Sequence, residues 1–498
     1  MSQSTLDRDV SDLAGFGYRQ RLDRSLGGFS AFAAGFSYLS VLTGSSQLFH
    51  IGYAAGGPAF FWTWPAVFAG QFLVALCFAE MAARYPLSGG VYQWSKQAAS
   101  SSVGWIAGWV YLACSIITLA STSLALQASL PQLSPWFQLV GSAEIAADRA
   151  RNAVFLGCGL IVLSTLINSV GIKLLSRINN VGVFVELIGV ALLILLLALA
   201  AKHSPSVVLD TQGRGAGQTF GYLGPALAAS LMATFVLYGF DTAGSLAEET
   251  ADPRRLAPRA ILLATASVGV AGSLLVFTTI RAAGSLTDPA LSEGSGGLPY
   301  VVKQALGVAL GTPFLAVMVF AICVCTFTVH AAAVRLIFAM ARDNHLPFAR
   351  LLARVSDGSR TPMLPALVVG VAGAGLLLVN VDFPRVIEVM ASVAVVWANL
   401  AYLFVTVPML LGRRRFEEAS APEGFRLGRW GNLVNTAAVA WGCLVVVNIG
   451  WPRAEIYGDG PLGRWGAAPP TIAMLASGWL YDRFVRRHRS GVLEEHRA

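Results

Sequence analysis

Tyr238-Gly-Phe-Asp-Thr-Ala-Gly-Ser-Leu-Ala-Glu-Glu-Thr-Ala-Asp-Pro-Arg-Arg-Leu-Ala-Pro-Arg-Ala260 begins inside an apolar stretch and ends in a charged one punctuated by proline. Gly239 and Gly244 bracket an acid, Asp241, at a depth where a lipid-facing charge is costly. Backbone that bends inside a membrane must line a cavity or be buried in protein. A helix interrupted in this way is how secondary transporters build a solute site near the middle of the bilayer.

The rest of the chain fits a membrane setting. Of 498 residues, 55% are hydrophobic and 12% are charged, against roughly 25% charged in soluble domains. The six cysteines (Cys77, Cys114, Cys158, Cys323, Cys325 and Cys443) lie in apolar runs, and no Cys/His grouping has metal-ligand spacing. Buried thiols of this kind behave as small hydrophobes, so no disulfide, metal or cofactor is expected. The net charge of +8 gathers in particular loops, which points to membrane topology and away from nucleic acid. The first 24 residues lack the short apolar core of a cleaved signal, so the first span is expected to serve as its own insertion signal.

A helical span needs about 20 mainly apolar residues. Twelve such spans are predicted, near 28–56, 60–83, 101–130, 152–171, 178–201, 220–247, 259–284, 312–341, 362–380, 386–411, 431–450 and 468–486. With the N-terminus in the cytoplasm, the inward segments collect Arg19, Arg21 and Arg24, then Arg254, Arg255 and Arg259, then Arg342, Arg350 and Arg360. Arg413-Arg-Arg415 and the basic tail after Arg483 follow on the same side, as the positive-inside rule requires. Both termini are therefore expected inside a multi-pass protein of the cell membrane.

Spans 1 and 6 each carry a glycine-bearing break, Tyr38-Leu-Ser-Val-Leu-Thr-Gly-Ser-Ser46 and Thr234-Phe-Val-Leu-Tyr-Gly-Phe-Asp-Thr242. They lie five spans apart, so the second copy starts with the opposite orientation. Paired breaks in corresponding positions point to an inverted repeat. The expected division is a tail at 1–24, spans 1–5 over 25–201 and spans 6–10 over 220–411. Accessory spans at 429–487 and a second tail at 488–498 complete it.

Four motifs together resemble the amino acid–polyamine–organocation transporter superfamily, within it the amino acid/choline-type branch. The span-6 segment is similar to its Gly-Phe-Glu…Glu-Glu…Asn-Pro-Arg…Pro motif, with Asp241 for the common Glu and Asp252 for the common Asn. Ala79-Glu-Met-Ala-Ala-Arg-Tyr-Pro-Leu-Ser-Gly-Gly-Val-Tyr92 resembles its Ala-Glu…Tyr-Pro…Gly-Gly-Tyr signature. Asn168-Ser-Val-Gly-Ile-Lys173 and Ala341-Arg-Asp-Asn-His-Leu-Pro347 are similar to its elements after spans 4 and 8. The span-1 break reads Thr43-Gly-Ser-Ser46 where the superfamily has Gly-Ser-Gly. The resemblance implies an all-α membrane protein with a five-plus-five inverted repeat of the leucine-transporter kind, helices 1 and 6 being broken.

A half-helix start offers unpaired amides and a positive dipole end, which suit a carboxylate; Thr43, Gly44, Ser45 and Ser46 are the candidates, with small-residue helix packing as the competing explanation. In span 6 the carbonyls of Phe235, Val236 and Tyr238, next to Gly239, are expected to accept from a substrate ammonium. The resemblance implies a gating role for Phe235, against plain packing. Three roles are open to Asp241: proton carrier, counter-charge, or cap of the second half-helix. Glu248 and Glu249 are expected to form an ion-paired inner gate with Arg254 and Arg255 nearby.

Glu186 is the distinctive acid outside the breaks, in the otherwise apolar Val181-Gly-Val-Phe-Val-Glu-Leu-Ile-Gly189. In similar proton-driven carriers a lysine stands near this place and faces the span-1 break. Glu186 can bind a proton, pair with a cationic substrate, or hold neighbouring helices by a hydrogen bond. His330 is either a hydrogen-bonded core residue or, by resemblance, a site-facing one. Cys114, Ser115 and Thr118 of span 3 and Asn399 of span 10 are further candidate liners.

No Gly-rich loop ending in Gly-Lys-Ser/Thr is present, so an ion or solute gradient must supply the energy. The expected function is secondary active uptake of an amino acid, γ-amino acid or related amine by alternating access, driven by protons. Sodium is the second choice, through Thr326 and Thr328. A carboxylate-free amine or organic cation is the alternative cargo. The histidines are too scattered for a metal or nucleophile–base centre, so an enzyme is not expected.

Overall fold

The computed structural model of the chain describes residues 3–294, 296–356, 361–379, 381–383, 385–413, 424–458, 460–489 and 491–497. Arg360, Arg414 and Arg415 of the predicted orientation signal lie outside the described residues. The described chain is built from helices, with two isolated bridges, Tyr18 to Arg497 and Leu26 to Thr250.

A helix or helix pair stands at each predicted span. Spans 2 to 5 are Thr63–Arg84, Ser101–Leu124, Ala146–Val170 and Ile172–Leu199. Span 7 is Pro253–Ala282, span 9 Met363–Val379, span 10 Val386–Leu411, span 11 Gly431–Gly450 and span 12 Ala468–Phe484. Leucines and valines on the outer faces of spans 4 and 5, such as Leu166, Val170 and Leu195, are exposed. That is the arrangement expected of a protein whose solvent on those faces is lipid.

Both breaks fall inside the stretches expected to hold them, residues 38–46 and 234–242. Span 1 consists of Gly28–Leu39 and Val41–Gly56, and the chain turns at Ser40 (φ 15°, ψ 99°). Thr43 to Ser46 therefore sit in the first turns of the second half-helix, not in the break. Span 6 begins with Leu223–Val236, opens through Leu237–Asp241, and resumes as one turn, Thr242–Ser245, and a 3-10 turn, Ala247–Glu249. Gly239 takes φ 96°, a left-handed conformation that favours glycine. Span 8 starts earlier than predicted, at Gly297, bends at Gly307 (φ 70°) and runs to Arg342.

Spans 1, 2, 6 and 7 pack on one another as one group. Small residues permit it: Gly269 and Gly272 of span 7 leave room for Phe68 and Trp64 of span 2, and the Trp64 indole donates to the Gly269 carbonyl at 3.0 Å. Spans 3, 8 and 10 pack together, with spans 4, 5 and 9 joined to span 8. Span 11 lies on spans 10 and 2, and span 12 on span 3. Both breaks face the seam between the two groups.

Candidate functional site

Where the breaks meet, a cleft is lined by Tyr38–Ser40, Thr43 and Gly44 of span 1, Thr118 and Thr122 of span 3, Phe235, Val236 and Tyr238 of span 6, and Cys325 of span 8. Its free volume is about 10 Å³, room for about one water. As it stands, the cleft is too small for a larger solute. Phe235 meets the Tyr238 ring edge-on, and Tyr238 meets Tyr38 in the same way, so three aromatics wall the cleft.

The polar groups of the span-1 break are taken up from across the seam. Glu186 of span 5, only 2% exposed, accepts from the Ser40 hydroxyl at 2.9 Å and the Leu42 amide at 3.2 Å. The Thr43 amide donates to Ser40 Oγ at 3.3 Å. On the other half-helix, the Cys325 thiol donates to the Tyr38 carbonyl at 3.3 Å. Unpaired backbone groups in hydrocarbon are costly, so these side chains are what permit the chain to open here.

The span-6 break is held differently. The Gly239 amide donates to the Tyr402 hydroxyl at 2.7 Å, and Tyr402 donates to Asp241 Oδ1 at 2.7 Å. Tyr111 of span 3 donates to the same oxygen at 2.6 Å. Asp241 makes no side-chain cap to Thr242–Ser245, the capping role open to it from the sequence. The resumed helix is a single turn, and two phenols from spans 3 and 10 claim the carboxylate instead. Tyr238 Oη lies 2.8 Å from the Thr118 hydroxyl, so spans 3 and 6 are pinned twice.

Of the sequence candidates, Thr43, Gly44, Thr118, Phe235, Val236 and Tyr238 line the cleft. Gly44 makes room for the Val236 side chain of span 6, so its lack of a side chain serves helix approach. Ser45 and Ser46 lie behind it; the Ser46 hydroxyl donates to the Thr43 carbonyl. Cys114 turns to the Ala394 carbonyl, and the Ser115 hydroxyl to the Tyr111 carbonyl. Asn399 pairs with Gln71 of span 2 at 3.1 Å. His330 faces spans 4 and 9, between Ser164 at 3.0 Å and the Ala366 carbonyl at 2.9 Å. Tyr38, Ser40, Thr122, Cys325, Tyr111 and Tyr402 were not among the candidates. Tyrosines and hydroxyls recur throughout these spans, and no local pattern marks those that meet a break.

On the side of the cleft that carries the chain termini, two buried ion pairs close the seam. Arg342 meets Glu248 with both terminal nitrogens, at 2.8 and 2.7 Å, and Arg335 meets Glu249 at 3.1 Å twice. The partners come from span 8, not from Arg254, which pairs with Asp12. Lys96 reaches Asp343 at 2.6 Å, and Tyr18 and Tyr92 donate to the same carboxylate at 2.9 and 2.6 Å. Burial works to raise the Asp343 pKa, but Lys96 and Arg342 outweigh it and hold the carboxyl below the usual range.

Both tails lie over these pairs. The Leu26 amide donates to the Glu249 carbonyl, the Leu493 amide to the Arg342 carbonyl, and the Arg19 amide to the His496 carbonyl. The Arg342 guanidinium stacks 4.0 Å from the centre of the Tyr18 ring. At the opposite end, Val41–Gly56 of span 1 and Leu223–Val236 of span 6 border, with their ends remote from the breaks, a cleft of about 700 Å³ that includes Arg214 and Trp451.

A family model described as "Amino acid permease" matches residues 26–459. The chain is similar to Amino-acid permease BAT1 of Arabidopsis thaliana, 25% identical, covering 96% of this chain and 95% of that protein. It is similar to the GABA-specific permease of Saccharomyces cerevisiae, 23% identical, covering 89% and 78%. Among solved structures, MhsT in complex with L-phenylalanine superposes with a TM-score of 0.59 at 17% identity, covering 86% of this chain and 98% of that one. That likeness concerns the fold.

Proposed function

Because the chain belongs to the amino acid permease family, we propose that this multi-pass membrane protein is a secondary active carrier of an amino acid, γ-amino acid or related amine. It works by alternating access in the cell membrane, with both termini in the cytoplasm. The reading is supported by a narrow polar cleft at two helix breaks, closed on the terminal side by buried ion pairs. Spans 1, 2, 6 and 7 move against the remaining core, and the bonds across the seam are remade in each half-cycle.

Protons are the proposed coupling ion and Glu186 the residue that takes them. The observation that carries this is its place: a buried carboxylate bonded to Ser40 and Leu42 at the span-1 break, across the moving seam. Gain or loss of one proton there changes the charge held between the two groups. Sodium through Thr326 and Thr328 is the second reading: both hydroxyls donate to carbonyls of their own helix, Ile322 and Val324, and keep lone pairs for a cation.

The test is uptake of labelled amino acids and amines by proteoliposomes, with a pH or sodium gradient imposed one at a time. Acceleration by an inward proton gradient, lost in Glu186→Gln, is the expected result. Unchanged pH dependence in that variant overturns the role of Glu186.

A further inference from the structure

The amides that open the second half-helix of span 1 are where a substrate carboxylate is best received, and two of them, those of Leu42 and Thr43, are already engaged by side chains of the chain itself. Glu186 Oε1 sits on the Leu42 amide and the Ser40 hydroxyl, and Ser40 Oγ takes the Thr43 amide. Whether ionised or protonated, Glu186 keeps an acceptor oxygen there. Among the described residues, no lysine, arginine or histidine lines the cleft to receive a carboxylate in its place.

The facing wall offers the reverse chemistry. Leu223–Val236 ends with its last carbonyls toward the cleft; Leu237 takes that of Ala233, and no donor among the described residues reaches the oxygens of Thr234, Phe235 or Val236. The Tyr38 hydroxyl, on a side chain that lines the cleft and is 5% exposed, has no partner among the described residues. Unsatisfied acceptors at a helix C-terminus, with its partial negative charge, suit an ammonium group. A buried hydroxyl left without a partner calls for one from the solute.

We infer that Glu186 stands in for the α-carboxylate of a substrate, so that the site selects on the ammonium group alone. The cargo is then an amine whose ammonium-bearing carbon carries no carboxylate: an ω-amino acid, or a mono- or diamine. This deepens the carrier reading above and rests on it. A conventional α-amino acid must compete with the Glu186 side chain for the same amides.

Two isomers of equal size separate the possibilities in the full-length protein in liposomes. γ-Aminobutyrate and L-α-aminobutyrate differ only in where the amine sits; 1,4-diaminobutane adds the arm with no carboxylate. The γ-isomer or the diamine should saturate uptake at a concentration at least about tenfold lower than the α-isomer, as one contested hydrogen-bonded position is worth. Which of the two is preferred distinguishes ω-amino acids from simple amines. Equal or better use of the α-isomer overturns the inference while leaving the carrier reading intact. No saturable uptake of any amino acid or amine overturns both.

Glu186→Ala frees the Leu42 amide and should improve use of the α-isomer relative to the γ-isomer by about tenfold. Glu186→Gln keeps an acceptor oxygen and should retain the original preference. A folded Glu186→Ala protein with unchanged selectivity overturns the inference. If that variant does not fold, the isomer comparison in the unaltered protein decides.

Discussion

Arg342 meets Glu248 through both terminal guanidinium nitrogens, and both side chains are almost fully removed from solvent. Their helices, spans 8 and 6, belong to the two packed groups on either side of the seam. In the alternating-access cycle proposed above, the pair is a lock between the parts that separate when the terminal side opens.

Removing one partner leaves a buried charge uncompensated. Arg342→Ala should lower stability in detergent by about 3–5 kcal/mol, while Arg342→Met with Glu248→Leu should recover most of the loss. Thermal or denaturant unfolding of the single and double variants measures both effects. The double variant, stable but without its lock, should show faster thiol labelling of cysteines introduced beneath the gate.

The Tyr402 hydroxyl serves Gly239 and Asp241 at once. Tyr402→Phe should therefore cost about 1–3 kcal/mol and slow transport, because the Gly239 amide is left buried and unpaired. Asp241→Asn keeps an oxygen for both phenols and should be milder than Asp241→Ala. If Asp241→Ala is as stable and active as Asp241→Asn, the phenol bonds do not support the break.

Gly239 is fixed by backbone and by space. Its φ of 96° favours glycine, and an added Cβ would run into the Tyr38 ring. Gly239→Ala should destabilise by about 1–3 kcal/mol, with reduced maximal uptake. Trimming Tyr38 to alanine in the same protein should relieve the steric part and leave the conformational part, a partial rescue visible in unfolding curves.

His345 makes the terminal side sensitive to acid. Burial pulls its pKa down to about 4, with Arg486 and Lys96 adding repulsion and Asp343 opposing them. The neutral ring, 2.8 Å from the Tyr92 hydroxyl and facing Ser101 and Arg486, is the form the fold selects. The unfolded chain binds the proton first, from the ordinary 6.5 downward, so stability should fall as pH drops from 6.5 toward 4. Asp343 works in a lower window: its depressed pKa preserves its contribution until the pH falls below the usual carboxylate range. Unfolding midpoints across pH 4 to 7.5 should slope less in His345→Gln.

The breaks were legible because Gly239 and Asp241 contradict the apolar run around them. Ser40 was not, since serine is common in packed membrane helices and only its partner Glu186 marks it as a turning point. Glu186 itself stood out as the lone acid of span 5, and the structure brings it to the span-1 break. For Glu248 and Glu249 the sequence offers only the neighbouring arginines, Arg254 and Arg255. The actual partners, Arg335 and Arg342, are about two turns apart on span 8, and nothing local to Glu248 and Glu249 identifies them. For His330 the difficulty was rotation: a helix apolar on most sides does not announce which face meets which neighbour.

The bond from the Arg19 amide to the His496 carbonyl joins the segment before span 1 to the segment after span 12, over the buried ion pairs. Such a closure cannot form while the ribosome still holds the last span. Every earlier helix is already in the bilayer when the C-terminal tail emerges and reaches Tyr18 and Arg342. The cover over the ion pairs is therefore made after the ion pairs' own helices have been synthesised. A carrier interrupted near its end would stand in the membrane with its spans in place and that cover missing.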